Sequence, residues 1–368
     1  MNLFKLCGRC VFVVTVFILQ GLNADETVKI GVILPITGGT ATFGQENANG
    51  IKLALEKIQK SSKIKIELII EDDKSESLEA INAIRKLINI DKVSAVIGEV
   101  TSSNTLAMAP IAQEAKIPLF SPAATNIKVT QVGNFISRAC FTDDFQGVVM
   151  ARFAVEKLDK KKGLILIDNS SDYSKGLAKS FKEEYLKIGG TLVLEDELTY
   201  IQKDMDFQSI LRKVKRANPE IIFLPGYYQE VGLIIKQARG LGITAIFLGG
   251  DGWDSPELFK IAGAAIKGNY LSSHFAPDDK DPLVQSFVTD YEKAFKVKPG
   301  AMAALGYDSI GILADAIARA KSTKSEDINT ALIATKNFIG VTGVITIDEN
   351  RNSKKAAIVL ETTTTDFI

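Results

Sequence analysis

From Val28 onward, short apolar runs alternate with longer stretches whose apolar residues return with a helical period. The first run, Val28–Leu34 (VKIGVIL), reads as a strand buried on both faces. Gln45–Lys60 follows as a helix, with Ile51, Leu55 and Ile58 on one side. The alternation then predicts a strand at Ile64–Ile70, a helix at Ser75–Asn89, a strand at Val93–Gly98, a helix at Thr105–Ala115 and a strand at Pro118–Phe120. Such a succession implies a parallel sheet covered by helices on both faces. A second succession opens at Gly163–Asp168 (GLILID) and runs through Tyr173–Ile188, Thr191–Leu198, Phe207–Ala217, Ile221–Leu224, Gln229–Leu241 and Ala245–Gly249. The expected fold class is α/β, with two doubly wound parallel-sheet lobes and no low-complexity linker between them. The tail breaks the pattern. Leu283–Phe295 and Ala301–Ala320 are long helical stretches, and Val344–Ile347 and Ala357–Leu360 are short strands. A return to the first lobe after about Ser273 would give each lobe its missing helices.

Length agrees with two lobes, because 368 residues exceed the roughly 250–300 at which one core stops growing. A hydrophobic share of 46% with 19 Phe excludes a wholly disordered chain. Lys+Arg at 44 equals Asp+Glu at 44, so no basic stripe invites nucleic acid. A single histidine, His274, excludes a multi-histidine metal site. The first 24 residues stand apart. Lys5 and Arg9 precede the apolar run Val11–Leu19, which is too short to span a bilayer, and Leu22-Asn23-Ala24 precedes Asp25 and Glu26. This is the order of a secretory signal peptide cleaved after Ala24. Cys7 and Cys10 fall before the apolar run and none sits at the cut, so a lipoprotein signal does not fit. Cleavage leaves one cysteine, Cys140, and no internal disulfide. No later segment reads as long and apolar enough to span a membrane, so the mature chain is expected to be soluble.

Ligands of open α/β sheets bind outside the C-terminal ends of the strands. Three loops of the first lobe lie there. Pro35–Gly44 (PITGGTATFG) reads on its own as a flexible turn. Glu71-Asp72-Asp73 ends the second strand where a ribose-binding acid would lie, but the G-x-G-x-x-G spacing of a dinucleotide site is missing. In Glu99–Asn104 (EVTSSN), Ser102 and Ser103 stand between a strand and a helix. Such a place suits an ordinary N-cap or an anion site. In Ser121–Asn126 (SPAATN), Thr125 adds a hydroxyl, and two hydroxyl loops on neighbouring strands could share one carboxylate. The second lobe offers Asp172–Gly176, Gly226–Glu230 and Gly249–Trp253. Asp251, flanked by glycines, either faces a cationic amine or caps a turn toward Ser255. Trp253, His274 and Cys140 read as packed residues. No G-x-S-x-G elbow, Walker loop or zinc spacing occurs.

In order and spacing, Lys29–Leu34 with Gly44, Thr101–Ser103, Ile117–Asn126 (IPLFSPAATN), Arg138 with Asp143-Asp144 and Gln146-Gly147, Asp172–Gly176 (DYSKG) and Gly226–Gly232 (GYYQEVG) resemble the periplasmic branched-chain amino acid binding proteins. These are the receptors of one class of ATP-driven importers, and the resemblance runs from about Val28 to Leu360. It implies a type I two-lobed clamp with three crossover strands as hinge. Residues 25–142 and 275–348 would form lobe one, and 143–274 with 349–368 lobe two. It also implies that Ser102 and Thr125 hold a ligand carboxylate, with Ala123 and Ala124 in the same loop and the Ala123 carbonyl on the amine. Tyr173 and Tyr227 would be aromatic contacts. Asp251 would face the ammonium, where the leucine receptors have a glutamate, and Phe43 replaces a tyrosine common before the first-loop glycine. The implied protein is a monomeric periplasmic receptor, without cofactor, metal or catalysis. It would close on a small amino acid-like ligand and deliver it to the membrane permease of an ABC importer. A sensing subunit, the same clamp on an amide or aromatic acid, and an exported enzyme on this scaffold stay open.

Overall fold

The computed structural model describes residues 27–61 and 65–368. The expected signal peptide and Ile64, the first residue of an expected strand, lie outside the described residues. Five parallel strands form the first sheet, in the order β2-β1-β3-β4-β5. They are β1 (Thr27–Leu34), β2 (Lys65–Asp72), β3 (Ala95–Gly98), β4 (Leu119–Ser121) and β5 (Ile136–Arg138). Between them run α1 (Ala41–Ser61), α2 (Ser77–Lys86), α3 (Ser102–Ala115) and the single turn α4 (Lys128–Gln131). The interior strands β1 and β3 are apolar and almost wholly buried, as a sheet with helices on both faces requires.

After β5 the chain passes to a second sheet through α5 (Asp143–Arg152). There follow β6 (Lys162–Asp168), α6 (Asp172–Lys187), β7 (Thr191–Leu192), β8 (Leu198–Tyr200), α7 (Gln208–Ala217), β9 (Ile221–Phe223), α8 (Tyr228–Gly240), β10 (Ile246–Gly249), α9 (Glu257–Ala262) and β11 (Tyr270–Ser273). The tail comprises α10 (Pro282–Phe295), α11 (Ala301–Ala320), α12 (Ser325–Ile333), β12 (Phe338–Gly340), β13 (Gly343–Ile347), β14 (Ser353–Lys354) and β15 (Ile358–Glu361). β15 closes the second sheet antiparallel to β11, and β12, β13 and β14 form a small antiparallel sheet.

The tail helices pack on the first sheet's layer. Asn47 Nδ2 on α1 donates to the Met302 carbonyl on α11 at 3.0 Å. A Cβ at Gly50 would stand 1.9 Å from the Ala303 carbonyl oxygen, and one at Gly306 2.3 Å from that of Asn47. Only glycine lets these two helices approach so closely. Ala301–Ala320 is, contrary to the sequence expectation, long and apolar enough to cross a membrane by length and composition. In the fold it is a core helix, 78% buried over its most apolar window.

Three other expectations are corrected. α1 begins at Ala41, so Phe43 and Gly44 are helical rather than part of a loop. Phe43 extends the buried stripe of Ile51 and Leu55 toward the helix start. The strand expected at Thr191–Leu198 splits into β7 and β8, which pair with different parts of β6. The chain leaves the ladder where Glu195, Asp196 and Glu197 place three like charges in a row. The acids at the end of β2 brace loops, in keeping with the missing dinucleotide spacing. Asp72 accepts from the amides of Ile36, Thr37 and Lys74, and Asp73 from that of Ser75. Finally, the periodicity reading passed over β5, α5, β11 and α12.

Candidate functional site

A narrow cavity of about 10 Å³ lies where the C-terminal ends of both sheets meet. Phe43, Ser102, Ala123 and Thr125 reach it from the first lobe, and Tyr173, Tyr227 and Asp251 from the second. Val100, Gly252 and Met302 complete its wall. Ala124 is not in that wall. Its N–H donates to Ser121 Oγ at 2.9 Å, and its carbonyl accepts from Arg138 Nη1 at 2.6 Å. Wider hollows exist, one of about 430 Å³ along α6. The hollow along α6 is lined by the second lobe alone, whereas others, such as the one lined by Ser75, Ser103, Gln202 and Glu230, span both lobes, but none of them takes in Tyr173 or Asp251.

The first-lobe side is built for an anion. The 14-residue helix α3 starts at Ser102, behind an extended Thr101, so its positive end faces the cavity. Ser102 Oγ accepts from the Asn126 amide at 3.2 Å, which joins the two hydroxyl loops. The amides of Ser102 and Thr125 find no acceptor among the described residues. Beneath the loop, Arg138 is fully buried and donates to the carbonyls of Ala124 and Asn126, at 2.6 and 2.7 Å. These two carbonyls flank Thr125, so the guanidinium fork fixes that residue from behind. Thr101 is tied instead to Glu99, which accepts from its amide at 2.6 Å and from its hydroxyl. Burial, and then the Asp73 charge, push the Glu99 carboxyl far up.

The second-lobe side is aromatic and acidic. Tyr173 and Tyr227 stack at 5.2 Å and 13°, and Tyr173 Oη accepts from the Gly252 amide at 3.1 Å. The edge of Phe43 meets Tyr227 at 6.0 Å and Tyr228 at 5.0 Å, across the two lobes. Asp251 is buried in a short 3-10 turn, and its side chain does not cap toward Ser255. Oδ1 accepts from Gln146 Nε2 at 3.0 Å, and Oδ2 lies 3.1 Å from His274 Nε2. Asp143, beside them, shares the Gln146 amide at 3.0 Å. Burial, and then the Asp251 charge, push its carboxyl up to about 8. Cys140 is a packed thiol, pushed up to about 12 by burial. Trp253 is packed too, its Nε1 donating to the Leu224 carbonyl at 3.0 Å.

The lobes touch across the cavity. Asp172 N donates to Ser103 Oγ at 3.0 Å, and Ser103 Oγ donates to Asp172 Oδ2 at 3.1 Å. Asn126 Nδ2 donates to the Asp172 carbonyl at 2.6 Å, and the Thr42 amide to Tyr228 Oη at 3.3 Å. Ser103 therefore serves the contact between lobes rather than the anion side. The sequence reading missed Gln146 as a partner of Asp251 and took His274 for a packed residue. Their positions, 105 and 23 residues from Asp251, give no local signal.

Comparison with known proteins places this geometry. The profile described as periplasmic binding protein matches residues 27–362. The chain belongs to the periplasmic binding protein family. It has the type I fold of its solved relatives and is a solute receptor. A Leu/Ile/Val-binding protein homolog of Brucella melitensis is 30% identical over 354 residues, covering 95% of this chain and 94% of its own. A leucine-, isoleucine-, valine-, threonine- and alanine-binding protein of Pseudomonas aeruginosa is 28% identical over 335 residues, covering 90% of this chain and 88% of its own. Among solved structures, a leucine-binding protein (LivK) of Thermotoga maritima is 41% identical with a TM-score of 0.88, covering 93% of this chain and 97% of its own. The branched-chain amino acid receptor LivJ of Streptococcus pneumoniae, in complex with isoleucine, is 34% identical with a TM-score of 0.87, covering 93% and 98%.

Proposed function

We propose that this receptor captures a small L-amino acid of the branched-chain kind outside the cytoplasm and presents it, enclosed, to the permease of an ABC importer. The observation that carries this reading is one cavity with an anion cradle on one lobe and an uncompensated carboxylate on the other. Ser102 and Thr125 offer hydroxyls and amides for the ligand carboxylate. Asp251 faces the ammonium, the Ala123 carbonyl helps it, and Phe43, Tyr173 and Tyr227 enclose the side chain. A zwitterion leaving water needs partners at both ends, or desolvation would dominate. The names of the relatives, with leucine, isoleucine and valine among their ligands, support the same class.

The ligand binds the first lobe and then draws in the second, a population shift driven by contacts that exist only in the closed form. Residues 25–142 and 275–348 make one lobe, 143–274 and 349–368 the other, and residues 1–24 are removed on export to the periplasm. The receptor acts as a monomer. A thermal-shift and calorimetric panel of L-amino acids and small carboxylates tests the reading. Ser102→Ala and Thr125→Ala should each weaken the best ligand by about 1–3 kcal/mol. A panel in which no amino acid raises the melting temperature would sink it.

A further inference from the structure

Asp251 carries hydrogen bonds but no counter-charge. Its carboxylate meets Gln146 Nε2 at 3.0 Å and His274 Nε2 at 3.1 Å, and no Lys or Arg among the described residues pairs with it. Gln146 is itself fixed, since Ser272 Oγ donates to its Oε1 at 2.8 Å. That bond leaves the Gln146 amide group facing the Asp251 carboxylate and the Asp143 carboxyl. His274 is 4% exposed and stacks on Phe141, with centroids 3.6 Å apart and planes at 21°. Its Nδ1 has no partner. A carboxylate only accepts, so the ring proton sits on Nε2 and points at Asp251. Burial pulls the imidazole down to about 4, against the opposing pull of Asp251, so the ring is neutral. The Lys355 charge also opposes protonation of the ring, but its ammonium is spent on Thr342 and on the Asp308 charge. Phe141 and His274 stand where the chain passes between the lobes, just after β5 and just after β11.

We infer that His274 and Gln146 are positioning residues that set the preference for an ammonium-bearing ligand. They hold the Asp251 carboxylate in place with neutral donors and leave its whole charge to the ligand. This rests on the reading that Asp251 faces the ligand ammonium. A lysine or arginine at either place would orient the carboxylate equally well and cancel the charge the ligand is meant to meet. The neutral ring also joins the ammonium site directly to the segment where the lobes are connected.

The experiment is calorimetry on the mature protein with leucine, isoleucine, valine, threonine and alanine. The tightest is paired with the acid that lacks only the amino group. His274→Gln keeps a neutral donor and should hold the ratio of the two affinities within about threefold of wild type. His274→Phe keeps the stacking but loses the donor, and His274→Lys adds a cation. Both should lower the ratio by about tenfold or more, through weaker amino-acid binding. If the lysine variant does not fold, the Gln and Phe variants decide. Asp251→Asn separates the two levels of the argument. If it collapses the ratio while the Phe variant leaves it unchanged, the role given to His274 is wrong and the ammonium reading stands. If Asp251→Asn leaves the ratio unchanged, the ammonium reading itself fails.

Discussion

Replacing Arg138 with methionine should weaken ligand binding although Arg138 lies outside the cavity wall. The guanidinium is buried at 0% exposure and forks onto the Ala124 and Asn126 carbonyls at 2.6 and 2.7 Å. Each hydrogen bond from a charged donor contributes about 1.5–3 kcal/mol, and the carbonyls would keep only their second partners, the Cys140 thiol at 3.4 Å on Ala124 and the Val129 amide at 3.1 Å on Asn126. Against this, methionine removes the burial penalty of the cation, several kcal/mol in its own right. The two largely offset, and we expect a net loss of about 1–3 kcal/mol in stability. For a chain of this size, that lowers the melting temperature by a few degrees. The functional effect is separate. Thr125 sits between the two released carbonyls, so its hydroxyl and amide lose their fixed aim, and affinity should fall about tenfold to a hundredfold, or roughly 1.4–2.8 kcal/mol. Lysine should not restore it, because an ammonium is a point charge and cannot fork onto two carbonyls. Thermal melts and calorimetry on the same preparations measure both quantities. Wild-type affinity in a folded Arg138→Met or Arg138→Lys protein would refute the bracing role.

Three further outcomes follow from the same structure. Gly50→Ala pushes a methyl to within 1.9 Å of the Ala303 carbonyl and should cost about 1–3 kcal/mol or more; an unchanged melting temperature would mean that α1 and α11 can slide apart freely. Asp143 holds its proton up to about pH 8 in the fold, whereas a free aspartate loses it near pH 4. Its contribution to stability is therefore complete at acidic pH and fades as pH rises from about 4 to about 8. Asp143→Asn should flatten the melting temperature over that window, and a profile as steep as wild type would exclude this carboxyl as the cause. N-terminal sequencing of the exported protein should begin at Asp25, and retention of Met1–Ala24 would remove the signal-peptide reading.

β1, β3, β6 and β10 were legible because each is a short apolar run buried at nearly every position, and they stand close to where the pattern put them. The start of α1 was not, because Thr37, Gly38, Gly39 and Thr40 look like a loop that continues, and only the burial of Phe43 shows where the helical stripe begins. β5 has a single apolar residue, Ile136, among its three, so no apolar run marks it, unlike the equally short β4 and β9, yet it carries Arg138. Most of the candidate site was readable from strand-end loops together with family likeness. The Asp251–His274–Gln146 cluster was not, since it joins three segments of the second lobe, on α5 and after β10 and β11, that are far apart in sequence. A lone buried histidine carries no pattern that distinguishes packing from positioning.

The pairing of α1 with α11 has a temporal side. Asn47 and Met302 meet across 255 positions, and α11 buries the face of α1 that the first sheet leaves uncovered. Closing so long a chain segment carries its entropic cost before any contact rewards it, and a high share of distant contacts slows folding. While the polypeptide is being made, the first lobe stays without its partner helix until about residue 300 has emerged. A chain wired in this way holds itself open during synthesis. Such late closure would suit a chain exported as extended polypeptide, as the proposed signal peptide implies.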